Sequence, residues 1–174
     1  MNTCPNELNY AQYLSDINAS RSGKIAYIDG RRTLSYGQLA ERSARFAGLL
    51  QTLGLRREER ALLLMHDTVD WPIAFLGALH AGVVPVAVNT LLTPDDYAYM
   101  LTHSRAQAVF VSAALLHTLG EAMARCNHEV RHIIVAEPGQ PLSALGIDCV
   151  SYTRAAAIPA VKSRADEIAF WLYS

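Results

Sequence analysis

Short runs of apolar residues alternate with amphipathic segments along most of this chain. The apolar runs lie at residues 61–65, 83–88, 108–111, 132–136 and 168–173. Strands that are joined through helices pair in parallel, and their crossovers are right-handed. The pattern therefore predicts an α/β fold: a mainly parallel, doubly wound sheet with helices on both faces.

Helix boundary signals support this interpretation. Thr93, Pro94 and two aspartates predict a helix start, because threonine caps the helix, proline suits its first turn and carboxylates face the positive end of the helix dipole. Residues 35–38 resemble a capping box and open an amphipathic helix that Gly54 ends. Further helices are predicted over 69–81 and 112–125.

The last apolar run is the most informative for function. Its period of two places apolar side chains on both faces, which predicts a strand covered on both sides. Ser174 follows it, and a strand that ends at a small polar residue is how a phosphate-binding loop usually begins. Ligands of open α/β sheets collect at the carboxyl ends of the strands. We therefore interpret the chain as the N-terminal part of a larger nucleotide-using enzyme, which ends where the phosphate-binding part of the active site is expected to begin.

Composition shifts divide the chain into four parts. Residues 1–58 form an N-terminal segment with an amphipathic helix, and residues 59–136 form a βαβ sheet core. Residues 137–165 are rich in proline and glycine and are interpreted as a connection, with one short strand at 147–151. Residues 166–174 form the strand that enters the expected phosphate loop.

Bulk composition excludes several classes of protein. Hydrophobic residues make up 51% and charged residues 18% of the chain, so it is globular rather than unstructured. The net charge of −1 and the scattered Lys and Arg argue against nucleic acid as a partner. Three widely spaced cysteines and an N-terminus without a secretory signal indicate the cytoplasm.

Residues 71–94 contain no Asp, Glu, Lys or Arg, a pattern that a membrane-spanning helix would also show. A membrane span would need about 20 apolar residues in one helix. Here Gly82 follows the helical spacing as a C-cap glycine would, and Pro85 interrupts any longer helix. The stretch therefore predicts a buried helix followed by a buried strand, and no membrane as a partner.

Familiar catalytic motifs are absent from the sequence. There is no GxGxxG fingerprint, no Walker loop and no GxSxG elbow. Cys126, His128 and His132 could be imagined as half of a zinc site, but His132 opens an apolar strand and no fourth ligand lies nearby in sequence. We therefore assign no catalytic residue and no metal ligand within the chain.

Position in the parallel sheet indicates site residues better than motifs do here, because residues that follow the carboxyl ends of the strands line the ligand crevice. It selects His66, Asn89, Ser112, Glu137 and Ser174. Simpler roles are favoured for three of them: Asn89 makes a turn, Ser112 caps a helix and Glu137 is solvated. Ser174 is the strongest candidate for a site residue, because a phosphate-binding loop is expected to follow it.

Two segments carry a family resemblance. Residues 34–39 (LSYGQL) and 79–89 (LHAGVVPVAVN) resemble the first two motifs of the acyl-adenylating superfamily, which includes acyl-CoA synthetases, firefly luciferase and peptide-synthetase adenylation domains. Within it, residues 85–97 together with 170–174 are similar to benzoate-CoA ligases, and residues 67–72 add to the match. The resemblance covers nearly the whole chain, from residue 7 to residue 174.

This resemblance implies an incomplete N-terminal domain of an adenylate-forming enzyme. The parent would activate an aromatic carboxylate with ATP through an acyl-adenylate, with Mg²⁺ on the triphosphate, and would pass the acyl group to CoA. Of the family's functional residues only Ser174 can be carried over, as the leading edge of the phosphate loop. The aryl pocket, the ribose-binding acid and the C-terminal lysine domain are expected in the missing remainder.

Two expectations follow for the chain by itself. It should be inactive, with no ATP, Mg²⁺ or CoA bound, and it should self-associate through exposed apolar surface. The alternative is a self-contained, non-catalytic α/β binding or interaction domain. The lack of a full catalytic motif favours that alternative, whereas the apolar strand at the end of the chain speaks against it.

Overall fold

A computed structural model describes residues 6–30, 32–136, 143–144 and 151–173. The helices in these ranges are α1 (Tyr10–Ile17), α2 (Tyr36–Thr52), α3 (Asp70–His80), α4 (Pro94–Ser104) and α5 (Leu116–Ala124). The strands are β1 (Ile25–Ile28), β2 (Thr33–Ser35), β3 (Arg60–Leu64), β4 (Val84–Ala87), β5 (Ala108–Ser112), β6 (His132–Ala136), β7 (Ser143–Ala144) and β8 (Trp171–Leu172).

Six of these strands form one sheet in the order β7-β6-β5-β3-β4-β8. All neighbouring pairs from β6 to β8 are parallel, and β7 is antiparallel at the opposite edge. Strands β1 and β2 make a separate antiparallel hairpin. The predicted α/β fold with a mainly parallel sheet is confirmed, and the first four predicted strands agree with β3 to β6 within two residues at either end.

Alternate residues of the central strands divide the core into two clusters. Leu63 of β3 and Phe110 of β5 pack with α1, α2 and α3, on what we call the α2/α3 face. Leu62 and Val109, one position earlier in each strand, pack with α4 and α5 on the α4/α5 face. Successive side chains of a strand point to opposite sides, so a sheet buried on both faces needs apolar residues throughout. The prediction of helices on both faces is confirmed.

Both predicted capping motifs are present. The hydroxyl of Ser35 accepts from the backbone N of Gln38 at 3.2 Å, and Gln38 Oε1 accepts from the backbone N of Ser35 at 3.0 Å. Thr93 and Asp96 make the same reciprocal pair at the start of α4, with Pro94 in its first turn. These side chains satisfy backbone donors that the helix itself cannot pair.

The charge-free stretch forms a helix and then a strand, as predicted. Helix α3 ends at His80, Gly82 follows with a φ of 73°, and β4 begins at Val84. No helix in the described ranges is long and apolar enough to cross a bilayer.

Two elements near the N-terminus were not predicted. Helix α1 and the β1–β2 hairpin lie within residues 1–58, where only the amphipathic helix was expected. The hairpin turn contains Asp29 and Gly30, and Gly30 has a φ of 79°. Asp-Gly is among the strongest short-range hairpin signals, so the sequence did carry this information.

Residues 151–161 form a strap across the α2/α3 face, where only a connection was predicted. The backbone N of Ile158 donates to the Ala44 carbonyl at 3.3 Å, and that of Val161 donates to the His80 carbonyl at 2.9 Å. At Gly48 of α2, a Cβ atom would lie 2.0 Å from the carbonyl oxygen of Ala156. Glycine is therefore what lets the strap touch the helix. Residues 147–150 of the predicted short strand lie outside the described residues.

The last predicted strand is shorter than expected, and part of its apolar surface is exposed, as was expected for this chain by itself. Strand β8 spans only Trp171–Leu172 and lies at the edge of the sheet beside β4. Trp171 packs on the α4/α5 face, but Ile168, Phe170 and Leu172 are 60%, 46% and 69% exposed. On their side the ring of Phe75 meets that of Phe170 at 5.5 Å and covers part of it. An apolar pattern shows which side chains of a strand could be buried. How many of them are buried depends on whether the strand lies inside the sheet or at its edge.

Candidate functional site

The carboxyl ends of the parallel strands form the candidate site. From β3 the chain enters α3 on one face, whereas from β5 it enters α5 on the other. Adjacent strands whose connections leave in opposite directions create a crevice at their carboxyl ends, where open α/β sheets bind ligands. The crevice here lies between β3 and β5, with β4 and β8 beyond β3.

Two of the predicted positions meet in this crevice. The backbone N of His66, just past β3, donates to the hydroxyl of Ser112 at 2.9 Å. Ser112 is the last residue of β5 and is buried, while the side chain of His66 is exposed. Ser112 stands at the N-cap of a 3-10 turn (Ala113–Leu115), as predicted, but its hydroxyl is used across the sheet and makes no capping bond. Ser112 therefore fixes the ends of β3 and β5 relative to each other.

Asn89 follows β4 and makes the turn that was predicted for it. Its side-chain oxygen accepts from the backbone N of Leu91 at 2.9 Å. The hydroxyl of Tyr97 donates to the Asn89 carbonyl at 2.7 Å and accepts from the backbone N of Leu92 at 3.2 Å. Tyr97 is fully buried, and this burial raises the pKa of its hydroxyl. A neutral phenol can donate and accept at once, as this loop requires.

A buried ionic cluster joins the hairpin to the start of α3. The guanidinium of Arg32 contacts Asp29 Oδ2 at 2.6 Å and Asp70 Oδ2 at 2.8 Å. Asp29 Oδ2 also accepts from the backbone N of Val69 at 3.1 Å. Burial raises the pKa of the Asp70 carboxyl, and the neighbouring Arg32 opposes that rise. The hairpin thus provides both a cap for α3 and the counter-charge for its first residue.

The starts of α3 and α4 lie at this edge of the sheet and are the positions where helices could hold a triphosphate. Free backbone N–H groups and positive charge would be required, as at the helix N-terminus of a phosphate-binding loop. The start of α3 carries Asp29 and Asp70, and the first turn of α4 carries Asp95 and Asp96. The guanidinium of Arg32 is already committed to two carboxylates. The described residues therefore do not fit ATP and Mg²⁺ at these two helix starts.

Strand β8 is held in place by aromatic side chains of α4. The hydroxyl of Tyr173 lies 2.9 Å from Nδ1 of His103. The His103 ring stacks on that of Tyr99, with centroids 5.4 Å apart. The guanidinium of Arg60, which also donates to the Ser104 carbonyl of α4, lies over the ring of Trp171 at 5.9 Å. These contacts fix the residue that directly precedes Ser174 in the sequence.

The other predicted site residues are Ser174 and Glu137, together with the imagined zinc ligands. Ser174 and Glu137 lie outside the described residues, so the role of Ser174 stays a prediction. Of the imagined zinc ligands, His128 Nδ1 accepts from the backbone N of Val130 at 3.2 Å, and burial lowers the pKa of His132. The described residues contain no group of three or more His, Cys, Asp or Glu that could hold a metal ion.

Most of the chain matches known proteins in sequence. Residues 14–174 match the family model described as AMP-binding enzyme. The chain is 43% identical over 154 residues to the 4-hydroxybenzoate-CoA/benzoate-CoA ligase of Rhodopseudomonas palustris, covering 88% of this chain and 28% of that ligase. It is 39% identical over 157 residues to the benzoate-CoA ligase of Thauera aromatica, covering 90% of this chain and 29% of that ligase.

The chain is also similar to a solved structure. A benzoate CoA ligase from Burkholderia xenovorans superposes with a TM-score of 0.80 at 48% identity, over 95% of this chain and 32% of that chain. This chain therefore spans less than a third of the length of the relatives that it matches.

Proposed function

The chain belongs to the AMP-binding enzyme family, and we propose that it supplies the sheet on which an aromatic-acid CoA ligase of the benzoate type builds its nucleotide site. The observation that carries this proposal is the 43% identity with a ligase named for 4-hydroxybenzoate and benzoate, over 88% of this chain. The crevice at the carboxyl ends of β3 and β5 supports it, because such edges are where nucleotides bind in open α/β sheets.

In the proposed reaction the carboxylate attacks the α-phosphate of ATP and pyrophosphate leaves, and the CoA thiol then displaces AMP from the acyl-adenylate to form a thioester. Attack of a carboxylate on the α-phosphate brings two anions together, so the site needs positioned hydrogen-bond donors and cations. Mg²⁺ would neutralise the phosphates when bound. The role proposed for this chain is positional: Ser112 ties β3 to β5, the α4 rings hold β8, and Ser174 opens the phosphate loop.

A chimera tests this proposal. The aligned 154 residues of the Rhodopseudomonas ligase would be replaced by those of this chain, and pyrophosphate release would be followed with benzoate, ATP, Mg²⁺ and CoA. We expect benzoate-dependent turnover, with the unaltered ligase as the positive control. A chimera that folds, as judged by circular dichroism, but shows no turnover would contradict the proposal.

The chain by itself serves as the second arm of that experiment. We propose that it neither releases pyrophosphate nor forms an adenylate, because the described residues lack a triphosphate site at the starts of α3 and α4. Turnover above a buffer blank would contradict this. A folded chimera without turnover, together with an inactive chain, would favour the non-catalytic binding domain.

We also propose that the chain pairs with a second copy along β8. Ile168, Phe170 and Leu172 are exposed beside an edge strand, and unpaired strand edges with apolar neighbours promote association. Light scattering over a range of concentrations should show dimers or larger species. A Leu172→Lys variant should shift the population to monomers, and a wild-type chain that stays monomeric would contradict the proposal.

A further inference from the structure

Asn89 lies just past the carboxyl end of β4, on the side of the sheet where β8 forms the edge. Val86 and Ala87 of β4 pair in parallel with Trp171 and Leu172 of β8. Neighbouring strands of a sheet are about 4.8 Å apart. Asn89 follows Ala87 by two residues, so its side chain is within reach of the chain that leaves β8 at the same edge.

Only one half of the Asn89 side-chain amide is used by the turn. The backbone N–H of Leu91 donates to Oδ1 at 2.9 Å, and the Tyr97 hydroxyl donates to the Asn89 carbonyl at 2.7 Å. Within the described ranges the Nδ2 group has no hydrogen-bond partner. The side chain is exposed, so two N–H donors are held in place by the turn and remain available.

The turn alone does not require asparagine. Aspartate makes the same turn, because its carboxylate oxygen also accepts from the backbone two residues on. What asparagine adds at this position is a neutral pair of donors.

A phosphate loop after β8 would need donors of this kind. Such a loop points its backbone N–H groups at the phosphates, as a helix N-terminus does. Its carbonyl groups then face away from the ligand, and each needs a donor from the surrounding protein or from water. A neutral amide on the neighbouring strand can supply one.

Direct contact between Asn89 and a phosphate is disfavoured by the charges nearby. Asp95 and Asp96 lie in the first turn of α4, a few residues after the Asn89 turn. Hydrogen bonds from Thr93 lower the pKa of Asp96, so this carboxylate is charged at neutral pH. Two carboxylates repel a triphosphate but not a neutral backbone carbonyl.

We propose that Asn89 is a positioning residue, whose Nδ2 group donates to a backbone carbonyl of the segment that follows Tyr173 and holds that segment beside β4. This role rests on the proposed function, in which a phosphate loop follows Ser174. It matches the role of Ser112, whose hydroxyl ties β5 to the end of β3.

Asn89→Asp in the chimera with the Rhodopseudomonas ligase tests this role. The substitution keeps the oxygen that accepts from Leu91 and removes both donors. We expect amide hydrogen exchange in the segment after Tyr173 to become about tenfold faster and the KM for ATP to rise by a similar factor, the effect of one lost hydrogen bond. The KM for benzoate should not change.

Two further variants separate positioning from the turn and from added charge. In the chain by itself, Asn89→Asp should leave the urea midpoint unchanged, whereas Asn89→Ala, which also removes the turn oxygen, should lower it. Asn127→Asp adds the same charge at an exposed asparagine between α5 and β6, and should change neither the exchange nor the KM for ATP.

Unchanged exchange in the segment after Tyr173 would overturn the proposal. So would a higher KM for ATP without faster exchange, which would indicate contact with a phosphate, or an Asn89→Asp chain as unstable as Asn89→Ala, which would leave Asn89 with the turn alone. Exchange is measured without turnover. A folded chimera that is inactive therefore contradicts the proposed function, while its exchange still decides the role of Asn89.

Discussion

The two faces of the parallel sheet are covered in different ways. On the α2/α3 face, three helices, a hairpin and the strap pack against one another through backbone contacts and a buried ionic cluster. On the α4/α5 face, two helices cover the sheet and aromatic rings hold its edge strand. On the first face the strap leaves no room for a side chain at Gly48 and Arg32 pairs with buried Asp70, whereas on the second face the pair of Arg125 with Asp95 and the hydroxyl of Tyr173 are partly exposed. Substitutions on the first face should therefore have the larger effects.

Gly48→Ala should have the largest effect. Its Cβ would lie 2.0 Å from the Ala156 carbonyl oxygen, so the strap or α2 must move. We expect a loss of about 3 kcal/mol in the free energy of unfolding, at the upper end of overpacking effects. Urea denaturation followed by circular dichroism measures this loss.

Gly120→Ala is the matched control. Gly120 is also inside a helix, and nothing lies within 4 Å of the position of its added Cβ. Alanine should therefore stabilise α5 by about 0.5–1 kcal/mol, the ordinary difference in helix propensity. Equal effects of the two substitutions would show that the strap does not restrict α2, and would remove the distinction between the two faces.

Arg32→Ala should rank second. It leaves Asp70, which is 4% exposed, without its counter-charge. Breaking a fully buried pair costs about 3–5 kcal/mol, and we expect about 2 kcal/mol here because the Arg32 side chain is itself 30% exposed. Arg125→Ala, which removes an exposed pair with Asp95 on the other face, should cause no measurable change.

The effect of Arg32→Ala should depend on pH. Burial already raises the pKa of Asp70 in the folded chain, and loss of Arg32 raises it further. A carboxyl whose pKa is raised on folding favours the folded state at low pH and loses that contribution as pH rises through the raised pKa. The stability difference between the wild type and the variant should therefore shrink as pH falls from neutral towards about 4, the ordinary pKa range of Asp.

The sequence predicted the sheet core because its signals there are local. Apolar runs mark β3 to β6, and the capping boxes at Ser35 and Thr93 depend on residues three positions apart. The strap was missed because its structure depends on α2 and α3, which are distant in sequence. The same reason explains why the partner of the Ser112 hydroxyl was missed, since it is the backbone of His66, 46 positions away.

The candidate site was only partly predictable for a related reason. Position after a strand identified His66, Asn89 and Ser112 as residues of the carboxyl edge. It did not identify Tyr97, which belongs to α4, or the cluster in which Asp70 at the start of α3 meets Asp29 and Arg32 of a hairpin that was not predicted. The Asp-Gly pair in the hairpin turn was the signal that could have placed Asp29 near α3.

Tyr173→Phe should have the smallest effect on stability and the most local one. The substitution keeps the ring contacts but removes the hydroxyl that lies 2.9 Å from Nδ1 of His103. One such hydrogen bond contributes about 0.5–1 kcal/mol, so global unfolding should change little. Because β8 is a two-residue edge strand paired with β4, its amides should nevertheless exchange faster with solvent. Hydrogen exchange at Trp171 and Leu172 measures this effect, with Tyr13→Phe, at an exposed tyrosine of α1, as the control. Unchanged exchange at β8 would show that backbone pairing with β4 is sufficient to hold the strand, and that the aromatic contacts on the α4/α5 face do not position the residue before Ser174.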